Sequence, residues 1–234
     1  MKRKQVVLFS LFCLMSMAFF GQRERVEYLP TFDERKIHYG FYLGLNQNDF
    51  KIALNDTNLT PAANITVTTT TGFNVGLITD LRLHKNINLR FEPGLMTNTK
   101  NILFNHLETP RDSLREVSST FLRIPLLLKF STDRYQNVRP YVLGGFSYNY
   151  NFSSNENNKD DNAAGQFRTT TSNFMYEVGF GIDIYLYYFK FSPSIRGIFA
   201  INNEVKYDND PNSKWTAPIN YMGTRGVFLT FSFE

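Results

Sequence analysis

The chain has 234 residues, with 25 Lys plus Arg against 21 Asp plus Glu for a formal charge of +4, 16% aromatic residues and one cysteine. A single cysteine excludes a disulfide framework. The charge excess is small and concentrated at Lys2, Arg3 and Lys4, which excludes an extended phosphate-binding surface and with it a nucleic-acid partner. No long apolar run follows Phe20, so membrane-spanning helices are excluded beyond that point, although membrane-spanning strands are not.

Lys2, Arg3 and Lys4 precede an apolar run from Val6 to Phe20 that ends at Gly21 and Gln22. The run is shorter than the roughly 20 residues a membrane helix needs, and its basic start fits an export signal, so residues 1–21 read as a secretory signal peptide. An uncleaved anchor is the alternative. Cys13 follows Phe12 rather than a small residue, which argues against lipid attachment. Loss of residues 1–21 removes the cysteine and lowers the formal charge from +4 to +1. In residues 22–36, Pro30 and the mixed charges Asp33, Glu34, Arg35 and Lys36 argue against a helix and for an extended strap, with a disordered leader as the other reading. Tyr28, Pro30, Phe32 and Asp33 are the candidates for partner contact there.

Residues 37–234 carry a two-residue rhythm that predicts eight strands. Their apolar positions are Ile37 to Leu45; Phe73 to Leu81; Ile87 to Leu95; Leu122 to Phe130; Val142 to Tyr150; Phe174 to Leu186; Phe189 to Phe199; and Val227 to Phe233. The rhythm alone does not choose between a water-soluble barrel, greasy inside, and a membrane barrel, greasy outside. The connections do. Links at Arg82 to Asn86, Thr132 to Asn137 and Tyr187 to Tyr188 are short. Those at Gln47 to Thr71, Thr97 to Ser118, Asn151 to Thr171 and Asn202 to Thr224 are long and polar. Short turns on one side, long loops on the other and an even strand number are the pattern of an outer-membrane barrel. The expected fold is therefore all-β: an eight-stranded antiparallel up-and-down transmembrane β-barrel with short periplasmic turns and long extracellular loops, surrounded by outer-membrane lipid. The last strand ends in Phe233 and Glu234, a slight departure from a terminal aromatic.

With the apolar parity on lipid, the other parity fills the lumen. That set holds Asp80, Arg82, Arg90, Glu92, Arg123, Lys129, Glu177, Asp183, Lys190 and Arg196, nearly balanced in sign. Eight strands enclose only enough space for side chains, so these residues are expected to pair as a plug, with an ion path or ligand site as the alternative. The three histidines, His38, His84 and His106, are scattered among an inward position, a short turn and a long loop. No His-x-Ser pattern, metal-ligand spacing, phosphate-cradling loop or nucleophile elbow occurs. The expectation is a non-enzymatic chain with no catalytic residue, no metal, no cofactor and no small-molecule substrate.

Leu29-Pro30-Thr31-Phe32-Asp33, His38-Tyr39-Gly40-Phe41 and Leu45-Asn46-Gln47-Asn48-Asp49-Phe50 resemble the start of PorT proteins. Arg90-Phe91-Glu92-Pro93-Gly94-Leu95 and Leu122-Arg123-Ile124-Pro125-Leu126-Leu127-Leu128-Lys129 are similar to segments shared across the wider small-barrel superfamily. The PorT family comprises small outer-membrane barrels needed for type IX protein secretion in Bacteroidota. The resemblance implies an accessory or assembly role with other secretion-system proteins as partners, and it offers no catalytic residue. A structural or adhesive barrel acting through its outer loops is the rival expectation.

Overall fold

The computed structural model describes residues 26–55, 64–158 and 167–234; the segment read as a signal peptide lies outside them. A 3-10 turn at Phe32–Glu34 precedes β1 (Ile37–Leu54), β2 (Ile65–Thr69), β3 (Thr71–His84), β4 (Ile87–Phe91) and β5 (Gly94–Phe104). After one helical turn (Pro110–Ser113) follow β6 (Leu114–Ser131), β7 (Val138–Asn151), β8 (Ser172–Tyr185), β9 (Lys190–Ala200) and β10 (Ile219–Phe233). Every pairing is antiparallel; β1 pairs with β3 on one side, from Ile37↔Leu81 to Gln47↔Thr71, and with β10 on the other, from Phe41↔Phe233 to Leu54↔Ile219. The sheet thus closes on itself as a ring with no free side edge in its lower half.

Ten strands occur where eight were expected, because two are interrupted. Pro93 has no N–H to give, so the ladder lapses between β4 and β5 while the register against β6 is kept, Phe91↔Leu126 on one side and Gly94↔Arg123 on the other. Between β2 and β3, Thr70 turns its hydroxyl onto the Thr99 carbonyl at 2.9 Å, and the register against β5 slips by one residue. Counted around the ring, each interrupted pair is one wall position, so the ring runs through eight.

The expected loops are too long. β1 continues to Leu54, β5 to Phe104, β6 starts at Leu114 and β10 at Ile219, all inside stretches read as loop. The reason is an inversion of the rhythm. In the lower half the outward residues are apolar, as with Leu43, Leu45, Phe73, Leu77, Leu126, Phe146, Phe180 and Leu229. Higher on the same strands the outward positions become Gln47, Asp49, Lys51, Glu116, Ser118 and Arg225, while Phe50, Ile102, Phe104, Val117, Ile219 and Met222 turn inward. A polar outer face made these segments look like loops.

The N-terminal segment is not an extended strap. Leu29 takes a left-handed φ of 50°, Phe32–Glu34 wind into the 3-10 turn, and the segment folds across the short-turn end of the ring.

Candidate functional site

Among the described residues the lumen is where polar and charged side chains from many strands converge, and its filling changes with height. Nearest the short turns, the Lys129 ammonium lies 2.7 Å from Asp183, which also accepts from Ser192 at 2.6 Å. Arg90 bonds Asp80 at 2.9 Å through Nε and faces Glu92 at 3.4 Å; Asn88 donates to the same Asp80. One layer up, Arg196 of β9 reaches across the ring to Glu92, with a bond of 3.0 Å, and Arg123 of β6 pairs with Glu177 of β8. Gly179 makes room for the first of these: a Cβ there would stand 2.8 Å from Arg196 Cγ. The Arg123 guanidinium also lies over the Phe228 ring at 4.4 Å, and Lys129 over Tyr141 at 4.1 Å.

All eight residues named for a barrel-interior network, Asp80, Arg90, Glu92, Arg123, Lys129, Glu177, Asp183 and Arg196, are thus brought together, each essentially out of solvent. Arg82 stands apart, donating to the Asp33 carbonyl at the ring's end. One member escaped sequence reasoning. Glu234 turns its carboxylate inward, 2.5 Å from Arg90 and 3.0 Å from Lys190, and its backbone pairs with Lys190. The signal was there: Phe228, Thr230, Ser232 and Glu234 share the inward parity of the last strand. Charges so desolvated are tolerable only in such mutual contact, and stranding one by removing its partner costs about 3–5 kcal/mol.

The end cap is built by the folded N-terminal segment. Phe32 stacks on the His38 ring, centroids 4.3 Å apart, with the Lys190 ammonium 4.7 Å from its ring. His38 Nε2 is 2.8 Å from the Phe32 carbonyl. Asp33 accepts from Tyr185 at 2.7 Å and from Arg139 at 3.3 Å. Arg134 donates to the Leu29 carbonyl at 3.2 Å and to that of Tyr28, whose own N–H reaches Asn137 at 2.9 Å. Of the four residues offered as partner contacts, Phe32 and Asp33 are turned inward against the ring, whereas Tyr28 meets Tyr187 edge-on at 5.9 Å and Pro30 is exposed. His84 closes β3, and His106 packs edge-on to Phe104 at 6.0 Å near the opposite end; the histidines do not converge.

At the long-loop end, Phe167, Val205 and Trp215 descend from the connections onto Phe50, Ile102, Phe104, Val117, Ile219 and Met222. Trp215 Nε1 donates to the Asp112 carbonyl at 3.0 Å, and Lys100 lies 3.6 Å above the Phe50 ring while donating to Thr224 at 3.0 Å. Glu204, in the connection beyond β9, accepts twice from Thr224; burial pushes its carboxyl up from the ordinary value, against the pull of Lys100. In the neighbouring connection, Thr171 N–H donates to Glu156 at 2.8 Å and holds that carboxyl below its ordinary value, with Lys206 helping.

A closed antiparallel wall, apolar outside and ionic within, is the physical signature of a barrel in lipid. Residues 20–206 match the family described as outer membrane protein beta-barrel domain, and the chain belongs to that family. It is an outer-membrane protein. Among solved structures it is similar to Neisserial surface protein A, at 9% identity over 85% of this chain and 98% of that one with a TM-score of 0.47. It is also similar to OprG from Pseudomonas aeruginosa, at 14% identity over 84% and 93% with a TM-score of 0.47. Ail of Yersinia pestis aligns at 13% identity over 83% and 96%, with a TM-score of 0.35. No curated protein matches the chain.

Proposed function

We propose that this chain is a plugged, non-enzymatic outer-membrane barrel that works through its two ends and its outer wall rather than as a pore. The observation that carries this reading is the continuous filling of the lumen: the docked N-terminal segment, the ion pairs around Arg90 and Glu92, and the apolar cluster around Phe50 and Trp215 follow one another along the axis. Its short-turn end faces the periplasm and its long-loop end the outside. Reconstituted into a planar bilayer, the full mature chain is expected to give no stable conductance steps. Reproducible ohmic steps from the folded protein contradict a plugged barrel.

Within that reading, two roles compete. As a structural or adhesive barrel it acts through the long-loop end, whose ordered polar wall and packed connections offer a firm outward platform. As an accessory or assembly component of type IX secretion it acts through its periplasmic side, together with other secretion proteins. The residues that favour the second role are Leu29 to Asp33, which resemble the PorT start and are held on the ring's short-turn end by Arg134 and Arg139. A gene deletion followed by analysis of secreted proteins separates the two. Cargo retained in the periplasm supports secretion, and unchanged secretion with lost surface attachment supports adhesion.

A further inference from the structure

Above the lipid belt the described residues do not close the ring completely. β1 pairs with β10 as far as Leu54, but its pairing with β3 stops at Gln47↔Thr71. β2, which stands next in the wall, pairs with β5 alone. Among the described residues, the upper part of β1 and the whole of β2 therefore face each other across an unpaired seam.

The directions of the backbone groups follow from the ladders. Arg82 N–H donates to Lys36 O, so the even-numbered residues of β1 bond toward β3; above Gln47 the same parity, Asn48, Phe50 and Ile52, points into the seam. On β2, Thr70 N–H donates to Thr99 O and Asn105 N–H to Asn64 O, so its even-numbered residues bond toward β5. Ile65, Val67 and Thr69 then turn their N–H and C=O groups to the seam.

The two edges are treated differently. On β1, Asp49 Oδ1 accepts the Phe50 N–H at 2.8 Å, which takes a donor away from any incoming strand, and Lys51 adds an exposed charge. On β2, the run Asn64-Ile65-Thr66-Val67-Thr68-Thr69-Thr70 has no charge and no proline and is rich in β-branched residues. Gln47 Nε2 reaches Thr69 Oγ1 at 3.3 Å and bridges only the foot of the seam. Ile65 and Val67 lean on the apolar cluster, while Thr66 and Thr68 are exposed.

We propose that the seam edge of β2 docks an extended segment of another polypeptide by strand addition. A row of alternating N–H and C=O groups is complementary to an extended backbone and to little else. The side chains that point outward around the seam, Thr66, Thr68, Asp49 and Lys51, are polar, so it stands in water beyond the lipid. A second copy in the same membrane is a poor occupant: its β2 runs in the same sense relative to the bilayer and cannot meet this one antiparallel. The fitting segment is five or so residues long, β-branched where it follows Ile65 and Val67, uncharged or hydroxyl-bearing between, and free of proline.

The test uses the full mature chain in detergent micelles and an end-capped peptide copying residues 64–70, which can pair antiparallel with β2 about Val67. Amides of Ile65, Val67 and Thr69 are expected to exchange rapidly without peptide and to become protected with it. A peptide N-methylated at the Thr66 and Thr68 equivalents keeps this effect. One methylated at the Ile65, Val67 and Thr69 equivalents binds about tenfold or more weakly, because it loses the edge-facing donors. Four results overturn the proposal: slow exchange at those three amides before peptide is added, all peptides acting alike, no protection at millimolar peptide, or protection that rises with protein concentration alone.

Discussion

The lower and upper halves of one wall solve opposite problems with the same alternation. In the lower half, Leu43 and Leu45 of β1 face out, and the inner parity of the ring carries Arg90, Glu92, Arg123 and Glu177. A few residues higher on β1, Asp49 and Lys51 face out and Phe50 faces in. The first arrangement suits lipid outside and an interior without water, where charges persist only as pairs. The second is the ordinary hydropathic sense of a protein in water. The change of solvent along a single strand, not a change of fold, explains why the two halves differ.

The largest effect that can break this comparison lies in the ionic half. Arg123→Ala leaves Glu177 buried without its guanidinium and is expected to lower unfolding stability by about 3–5 kcal/mol, measured by urea titration of the protein in micelles. If instead the pair sits in a hydrated lumen, the loss falls below about 1 kcal/mol, and the lower half is not sealed.

Next come substitutions on the outer face. Phe41→Arg puts a charge in the middle of the apolar outer stretch Ile37 to Leu45 and is expected to cost about 2–4 kcal/mol, whereas Lys51→Leu, higher on the same strand, is expected to stay within about 0.5 kcal/mol. Equal costs at the two sites contradict a change of solvent between them.

A smaller effect belongs to the connections of the long-loop end. The Glu156 carboxyl is held below its ordinary value of 4.5 by the Thr171 N–H, so its contribution to order is present above that value and fades as pH falls below it. Acidification from pH 6 to pH 3 is therefore expected to lower the protection factor of the Thr171 amide, its exchange rate taken relative to the intrinsic rate at each pH, before the strand amides of β7 and β8 respond. Glu156→Gln should remove the pH dependence and leave the strands unaffected.

Much of the lower half was legible from residues alone. Phe174, Tyr176, Val178, Phe180 and Ile182 announce a wall, and Asp183 or Glu177 on the other parity can only face the lumen once that wall faces lipid. The upper half was not legible in the same way. A strand with Gln47, Asp49 and Lys51 outside and Phe50 inside has the average polarity of a loop, and only its phase distinguishes it. The breaks at Pro93 and Thr70 depend on single backbone bonds that hydropathy does not record. Likewise, Pro30 and the charges after it disfavour a helix, but nothing in them states that Phe32 will stack on His38 and Asp33 will meet Tyr185 and Arg139. The Asp33 contacts join residues more than a hundred positions apart, and the Phe32 stack depends on a turn between Phe32 and His38 that hydropathy does not record. Glu234 is the converse case: its phase was readable, and attention to a terminal aromatic hid it.

Site-directed spin labelling along β1 tests the two-solvent wall most directly. With single cysteines at Leu43, Leu45, Lys51 and Ala53 in the barrel reconstituted in lipid vesicles, relaxation by oxygen and by a water-soluble nickel chelate reports each label's surroundings. Labels at 43 and 45 should favour oxygen and labels at 51 and 53 the chelate, with the crossover near Gln47 and Asp49. Oxygen-dominated relaxation at 51 and 53, or chelate access at 43 and 45, would contradict the account.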